Sequence, residues 1–216
     1  MPANAVFRWN KGDLQWWSST FPSPGPTLTL LLITLPPLQP QEIEGDKDLL
    51  GERFEADFIV RPGLPAERIV ASLEKILRVD FGVNVKLTFR EVERKVYVAG
   101  GKYRFVPVTG RTDNRIELYG KDLTDPKFGN HGSGNFAEFL RGAGSFIDKR
   151  IVAGKIEGVP QGQLRWHENV LSAFTDAELR AARDRESVLK HLTEQTGLTF
   201  REETQPVRVL FVERKD

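Results

Sequence analysis

SVLKHLTEQTGLTFREETQPVRVLFVERKD, residues 187–216, is the stretch on which the reading of the fold turns. Val188, Leu189 and Leu192 recur at helical spacing, and Thr196 with Gly197 supplies a stop. Gly197 can take the left-handed conformation that ends a helix at no steric cost. A strand is expected from Leu198, Pro206 marks a turn, and VRVLFVE follows as a nearly continuous apolar run. Such a run suits a strand buried on both faces.

The same order recurs upstream. Pro65 opens a helix whose Ala66, Ile69, Val70, Leu73, Ile76 and Leu77 form one stripe, ending at Phe81 and Gly82. VNVKLTF then alternates as a half-buried strand, REVERK reads as a charged turn, and KVYVAG reads as the next strand. Residues 103–108 and 116–119 add two candidates, and residues 53–60 another. A third copy starts at Asn135, with Phe136, Phe139, Leu140 and Ala143 as stripe, Gly144 as stop, SFID as short strand and GQLRWHE as second strand. FTDAELRAARDRE reads as a helix with Thr175 as N-cap and Glu178 closing a capping box. The expected fold is α+β: a mixed, mostly antiparallel sheet of repeated helix–Gly–strand–strand units, helices packed on one side. The polar, glycine-rich residues 120–134 are expected to be the most mobile loop.

Composition narrows the function classes. Lysine and arginine total 31 against 30 acidic residues, which argues against a nucleic-acid binder. Absence of cysteine excludes disulfides, thiol nucleophiles and thiolate metal sites. The most apolar segment, TLTLLLITLPPL at residues 27–38, is too short for a membrane span of about 20 residues. It also lacks the basic leader and small-residue cleavage site of a signal peptide. Bracketed by prolines, it reads as a buried helix or strand, the helix preferred. The expected organisation is a Trp- and Pro-rich segment over residues 1–40 and one α+β domain over 41–216.

The order QEIEGDKDLLGERFEADFIVRPG, helix, VNVKLTFREVERKVYV, NFAEFL, GSFIDKRIVAGKIEG, LRWHE and the closing TGLTFREETQPVRVLFVERKD resembles the soil-associated bacterial family of unknown function found in acidobacteria and planctomycetes. The likeness is carried by that order from about residue 41 onward. The family also occurs fused behind bla-regulator-type sensor metallopeptidases, and its members usually carry an export signal. The resemblance therefore implies an extracytoplasmic setting and a sensing role, and it transfers no catalytic residue. Residues 27–38 depart from the family, which has a charged amphipathic helix there.

Candidate chemistry is sparse. HGSGN, containing His131 and Ser133, has the composition of a backbone anion nest before a helix, with a loop and ordinary N-cap as the plainer reading. No Walker lysine or dinucleotide fingerprint accompanies it, so no cofactor is expected. His131, His167 and His191 lack metal-protease spacing and read as structural, with no metal expected; His167 should face away from Trp166. Ser133 and Ser145 stand near His131 and Asp148 without a nucleophile elbow. Asp148 and Lys149 match a recurrent position of the family, with a turn as the plainer reading. Among Trp9, Trp16 and Trp17, the adjacent pair puts a ring on each face of a strand, and Trp17 is a candidate contact for a partner or sugar. The contacts expected for a ligand or partner are thus Asp148, Lys149, His131, Ser133, Trp166 and Trp17. The function expected first is a non-enzymatic binding or sensing domain for a protein partner or cell-envelope ligand. A structural interaction module comes next, then a hydrolase using Asp148 or the His131 loop.

Overall fold

The computed structural model describes residues 6–10, 13–18, 25–36, 38–60, 63–108, 115–119, 130–168 and 175–215. In chain order the elements are β1 (Val6–Asn10), β2 (Asp13–Ser18), α1 (Leu28–Thr34), β3 (Ile43–Gly45), α2 (Lys47–Gly51), β4 (Phe58–Val60), α3 (Ala66–Asp80) and β5 (Val85–Lys102). There follow β6 (Arg115–Glu117), β7 (Asn130–Gly134), α4 (Phe136–Phe146), β8 (Ile151–Glu157), β9 (Leu164–Glu168), α5 (Asp176–Ala182), α6 (Arg185–Thr196) and β10 (Leu198–Arg214). The class is α+β, as the sequence indicates. The chain forms two compact units, Met1–Val92 with Pro206–Asp216, and Glu93–Gln205, so neither boundary falls near residue 40.

In the first unit β1 pairs antiparallel with β2 and parallel with β4, while the end of β10 pairs parallel with β3. The apolar run at 27–38 forms α1: the Thr27 hydroxyl accepts from the Leu30 amide at 3.2 Å, and Leu28, Leu31 and Leu32 are fully buried. They pack with Leu49, Phe54, Val70, Leu73 and Leu77 in one core. Residues 53–60 were expected to be one strand. Only Phe58–Val60 is one, because Arg53 leaves the ladder after a single bridge to Thr27 and sends its guanidinium to the Gly25 carbonyl at 2.7 Å.

In the second unit β5 pairs with β8, and a separate three-stranded sheet has the order β6-β9-β7. Its core joins Phe139, Leu140, Val188, Leu192, Leu198 and Trp166. α4 starts at the expected N-cap, Asn135, which forms a capping box with Glu138, and α6 ends at Gly197, whose φ is 69°.

Several local expectations are overturned. REVERK and Pro206 are not turns: β5 and β10 run straight through them as hydrogen-bonded neighbours. The charged stretch is a strand exposed on both faces, with Lys95 and Glu202 paired at 3.3 Å across it. Nor does Gly144 stop α4, and SFID is not a strand. The helix continues to Phe146, and Gly144 is instead where the chain returns, since a Cβ there would lie 2.8 Å from the Lys149 carbonyl. Residues 103–108 join no sheet: Tyr103 donates its amide to Glu157, Arg104 to Thr196 and Val106 to Gln195. Residues 130–134 form β7 instead of a loop, and residues 120–129 lie outside the described residues. Among the described residues three sheets therefore stand where one sheet of repeated units was expected, and the repeat is not seen there.

Candidate functional site

Strand β9 carries LRWHE, whose side chains alternate between two faces. On one face Trp166 is buried against α4, its ring 6.0 Å from that of Phe139, and its indole N–H donates to Glu168 Oε1 at 3.0 Å. Gly132 lies opposite it in register, and a Cβ there would fall 2.0 Å from the indole. Gly142 on α4 approaches the same ring, with a Cβ distance of 2.9 Å. Gly132 of HGSGN and Gly142 thus make room for an aromatic ring.

The opposite face is polar. Arg115 is the register partner of Arg165, and Glu117 of His167, on the parallel strands β6 and β9. From the antiparallel side Ser133 stands opposite Arg165 and His131 opposite His167. His167 Nδ1 lies 2.8 Å from Glu117 Oε2, with both side chains at 1% exposure. Burial without solvent makes this contact far stronger than a surface pair, and correspondingly costly to break. Around it α6 supplies Gln195, whose Oε1 accepts from the Glu117 amide at 2.9 Å and whose Nε2 donates to the Glu117 carbonyl at 2.9 Å. His191 Nδ1 faces the Tyr119 carbonyl, so that nitrogen carries the proton, and the Tyr119 ring sits edge-on to His167 at 6.1 Å.

Beside this buried layer the face opens. A cavity of about 430 Å³ is lined by Arg115, Gly132, Ser133 and Arg165. A second, of about 560 Å³, shares both arginines and adds Tyr103, Phe105, Ile116 and Leu164. Burial pushes the Tyr103 hydroxyl above its ordinary pKa, so it stays a neutral donor at physiological pH. Two guanidiniums, a serine hydroxyl and apolar walls are the parts that hold a carboxylate or phosphate on an organic body.

Of the residues singled out in the sequence, His131, Ser133 and Trp166 lie on the paired strands β7 and β9, with Ser133 and Trp166 on opposite faces, and the ring of His131 lies outside the described side chains. At HGSGN, strand pairing stands in place of both the preferred loop and the alternative anion nest. The helix that follows already has its first amides engaged, Glu138 N–H donating to Asn135 Oδ1 at 3.0 Å. Asp148 and Lys149 line neither cavity. They form the turn after α4, where Lys149 donates its amide to Gly144 at 2.9 Å and Asp148 adopts a φ of 50°. Trp17 is on β2 in the first unit, opposite Phe7, and its side chain also lies outside the description. Sequence reasoning missed Glu117, Arg115 and Arg165. The available signal was a lone acid in the apolar run RIELY, since a charge flanked by Ile116 and Leu118 on a strand needs a buried partner.

Among the described residues, no three His, Cys, Asp or Glu side chains gather as a metal would require, and no helix is long and apolar enough to cross a membrane. The fold and site thus describe an α+β protein with a cationic, partly apolar pocket. No protein-family model matches the chain, and neither a curated protein nor a solved structure matches it.

Proposed function

We propose that the protein is a non-enzymatic binding or sensing module, and that its second unit takes a small organic anion, carboxylate or phosphate, between Arg115 and Arg165. The observation that carries this is the register of β6 and β9, which sets two cationic residues opposite each other in the lining of both cavities. Ser133 supplies a hydroxyl to the same anion, and Tyr103 and Phe105 cover the ligand's apolar part. The Glu117–His167 pair and Gln195 hold β6 and β9 in the register that the arginines need. The extracytoplasmic setting implied by the family resemblance fits ligands of the cell envelope, many of which carry carboxylates.

The hydrolase reading draws on Ser133, His167 and Glu117 sharing one sheet, but no hydrogen bond joins Ser133 to His167, and the imidazole is fully buried. Binding without turnover is the better account.

Thermal unfolding against a panel of phosphate, acetylated amino acids, muropeptides and β-lactams tests the proposal. A ligand at a hundred times its dissociation constant adds about 2.7 kcal/mol, which raises the midpoint by several degrees. Arg165→Ala, at an exposed position, should abolish the shift while leaving the unliganded midpoint near its original value. A panel with no shift, or one unchanged in Arg165→Ala, refutes the proposal.

A further inference from the structure

The first unit holds a second, chemically different cavity, of about 530 Å³, between α3 and the segment leading through β4. One wall is a single face of α3, with Ile69, Leu73, Ile76 and Asp80 at successive turns. The other wall is made by Ala56, Asp57, Phe58, Ile59 and Val60, five consecutive residues. Along an extended chain alternate side chains point to opposite faces, so a cavity lying on a face would meet only every second residue. Contact with all three residues of β4, Phe58, Ile59 and Val60, means that the cavity borders the backbone edge of that strand. β4 is the terminal strand in the order β2-β1-β4, and among the described residues it has β1 as its one strand neighbour.

The walls are apolar and unusually open. Ile59 is 67% exposed, while Leu64 and Ile76 are 42% and 37% exposed. Among the described residues, every charged one lining the cavity is acidic, namely Asp57 and Asp80. Asp80 is the last residue of α3, where the negative end of the helix dipole adds to its charge. An occupant must therefore offer backbone hydrogen bonds along one edge, apolar side chains at alternate positions, and a positive charge. The wall from Ile69 to Asp80 is about 16 Å long, the span of roughly five residues of extended chain.

We infer that this groove binds an extended peptide segment of a protein partner, with alternating apolar and basic residues, added as a strand beside β4. Its apolar side chains enter between Ile59 and Ile76, and its lysine or arginine meets Asp80 and Asp57. This site is independent of the anion pocket.

Fluorescence anisotropy on the full chain tests the inference with three blocked, labelled hexapeptides: alternating valine and lysine, alternating valine and glutamate, and the first N-methylated at alternate amides. The valine–lysine peptide should bind about tenfold tighter than the valine–glutamate one, the ratio for two exposed carboxylates each switching from attraction to repulsion. N-methylation should cost at least as much, because it removes the strand hydrogen bonds. Asp80→Arg should erase the charge preference. It leaves the fold intact, because a cation suits the end of a helix. Equal binding of the acidic peptide, equal binding of the N-methylated peptide, or no binding of the valine–lysine peptide at millimolar concentration overturns the inference. So does concentration-dependent dimerisation through the groove, abolished by Ile59→Lys, which would assign this edge to a second copy of the chain.

Discussion

The buried Glu117–His167 pair provides a quantitative test of how the anion pocket is held. Both side chains are 1% exposed and meet at 2.8 Å. His167→Phe keeps an aromatic ring but leaves the Glu117 carboxyl group buried without its imidazole, and Glu117→Met does the converse. Removing one member of such a pair costs about 3–5 kcal/mol, because the desolvation of the other is no longer offset. For a chain of this size each kcal/mol moves the midpoint by about 2–4 °C, so each single variant should melt roughly 6–20 °C lower. The double variant places two apolar side chains where the pair was, and should lose less than either single variant alone. The coupling energy from the cycle should then be at least about 3 kcal/mol, at the upper end for contacting residues. Urea unfolding followed by circular dichroism supplies all four free energies. Single variants costing less than about 1 kcal/mol, or losses that simply add, would mean that the pair is incidental to stability and that the register of β6 and β9 rests on other contacts.

Gly132→Ala puts a Cβ 2.0 Å from the Trp166 indole, so it should destabilise by about 1–3 kcal/mol and change the near-ultraviolet dichroism. Gly197→Ala places a side chain at a φ of 69° and 2.8 Å from the Lys102 carbonyl, and should cost more than about 1 kcal/mol in urea unfolding. Asp184 caps α6, and hydrogen bonds from Ser187 hold its carboxyl below the ordinary value. Since the folded pKa is the lower one, the cap stabilises above the ordinary aspartate pKa and its contribution is lost as pH falls through the folded value. Asp184→Ala should therefore cost about 1 kcal/mol at pH 7 and progressively less in acid, which a pH series of unfolding curves would show.

The sequence by itself determined the elements whose signals are local. Asn135, Thr175 and Gly197 mark helix ends by hydrogen-bonding and backbone conformation available within a few residues, and each is used as expected. The stripe of α3 was equally legible, because helical periodicity repeats over several turns. What failed were several inferences about where an element stops. REVERK carries the composition of a turn, yet it continues β5 because β10 offers hydrogen bonds along its length, a fact held in residues a hundred positions away. Gly144 looked like a helix stop and is a point of close approach, for the same reason. The candidate site followed this division. Ser133, His131 and Trp166 stood out locally by residue type. The pairing of Arg115 with Arg165 and of Glu117 with His167 was invisible, because it depends on the register of two parallel strands fifty residues apart. Registers of that kind are set by packing on both faces of a sheet, so only the tertiary structure could decide them.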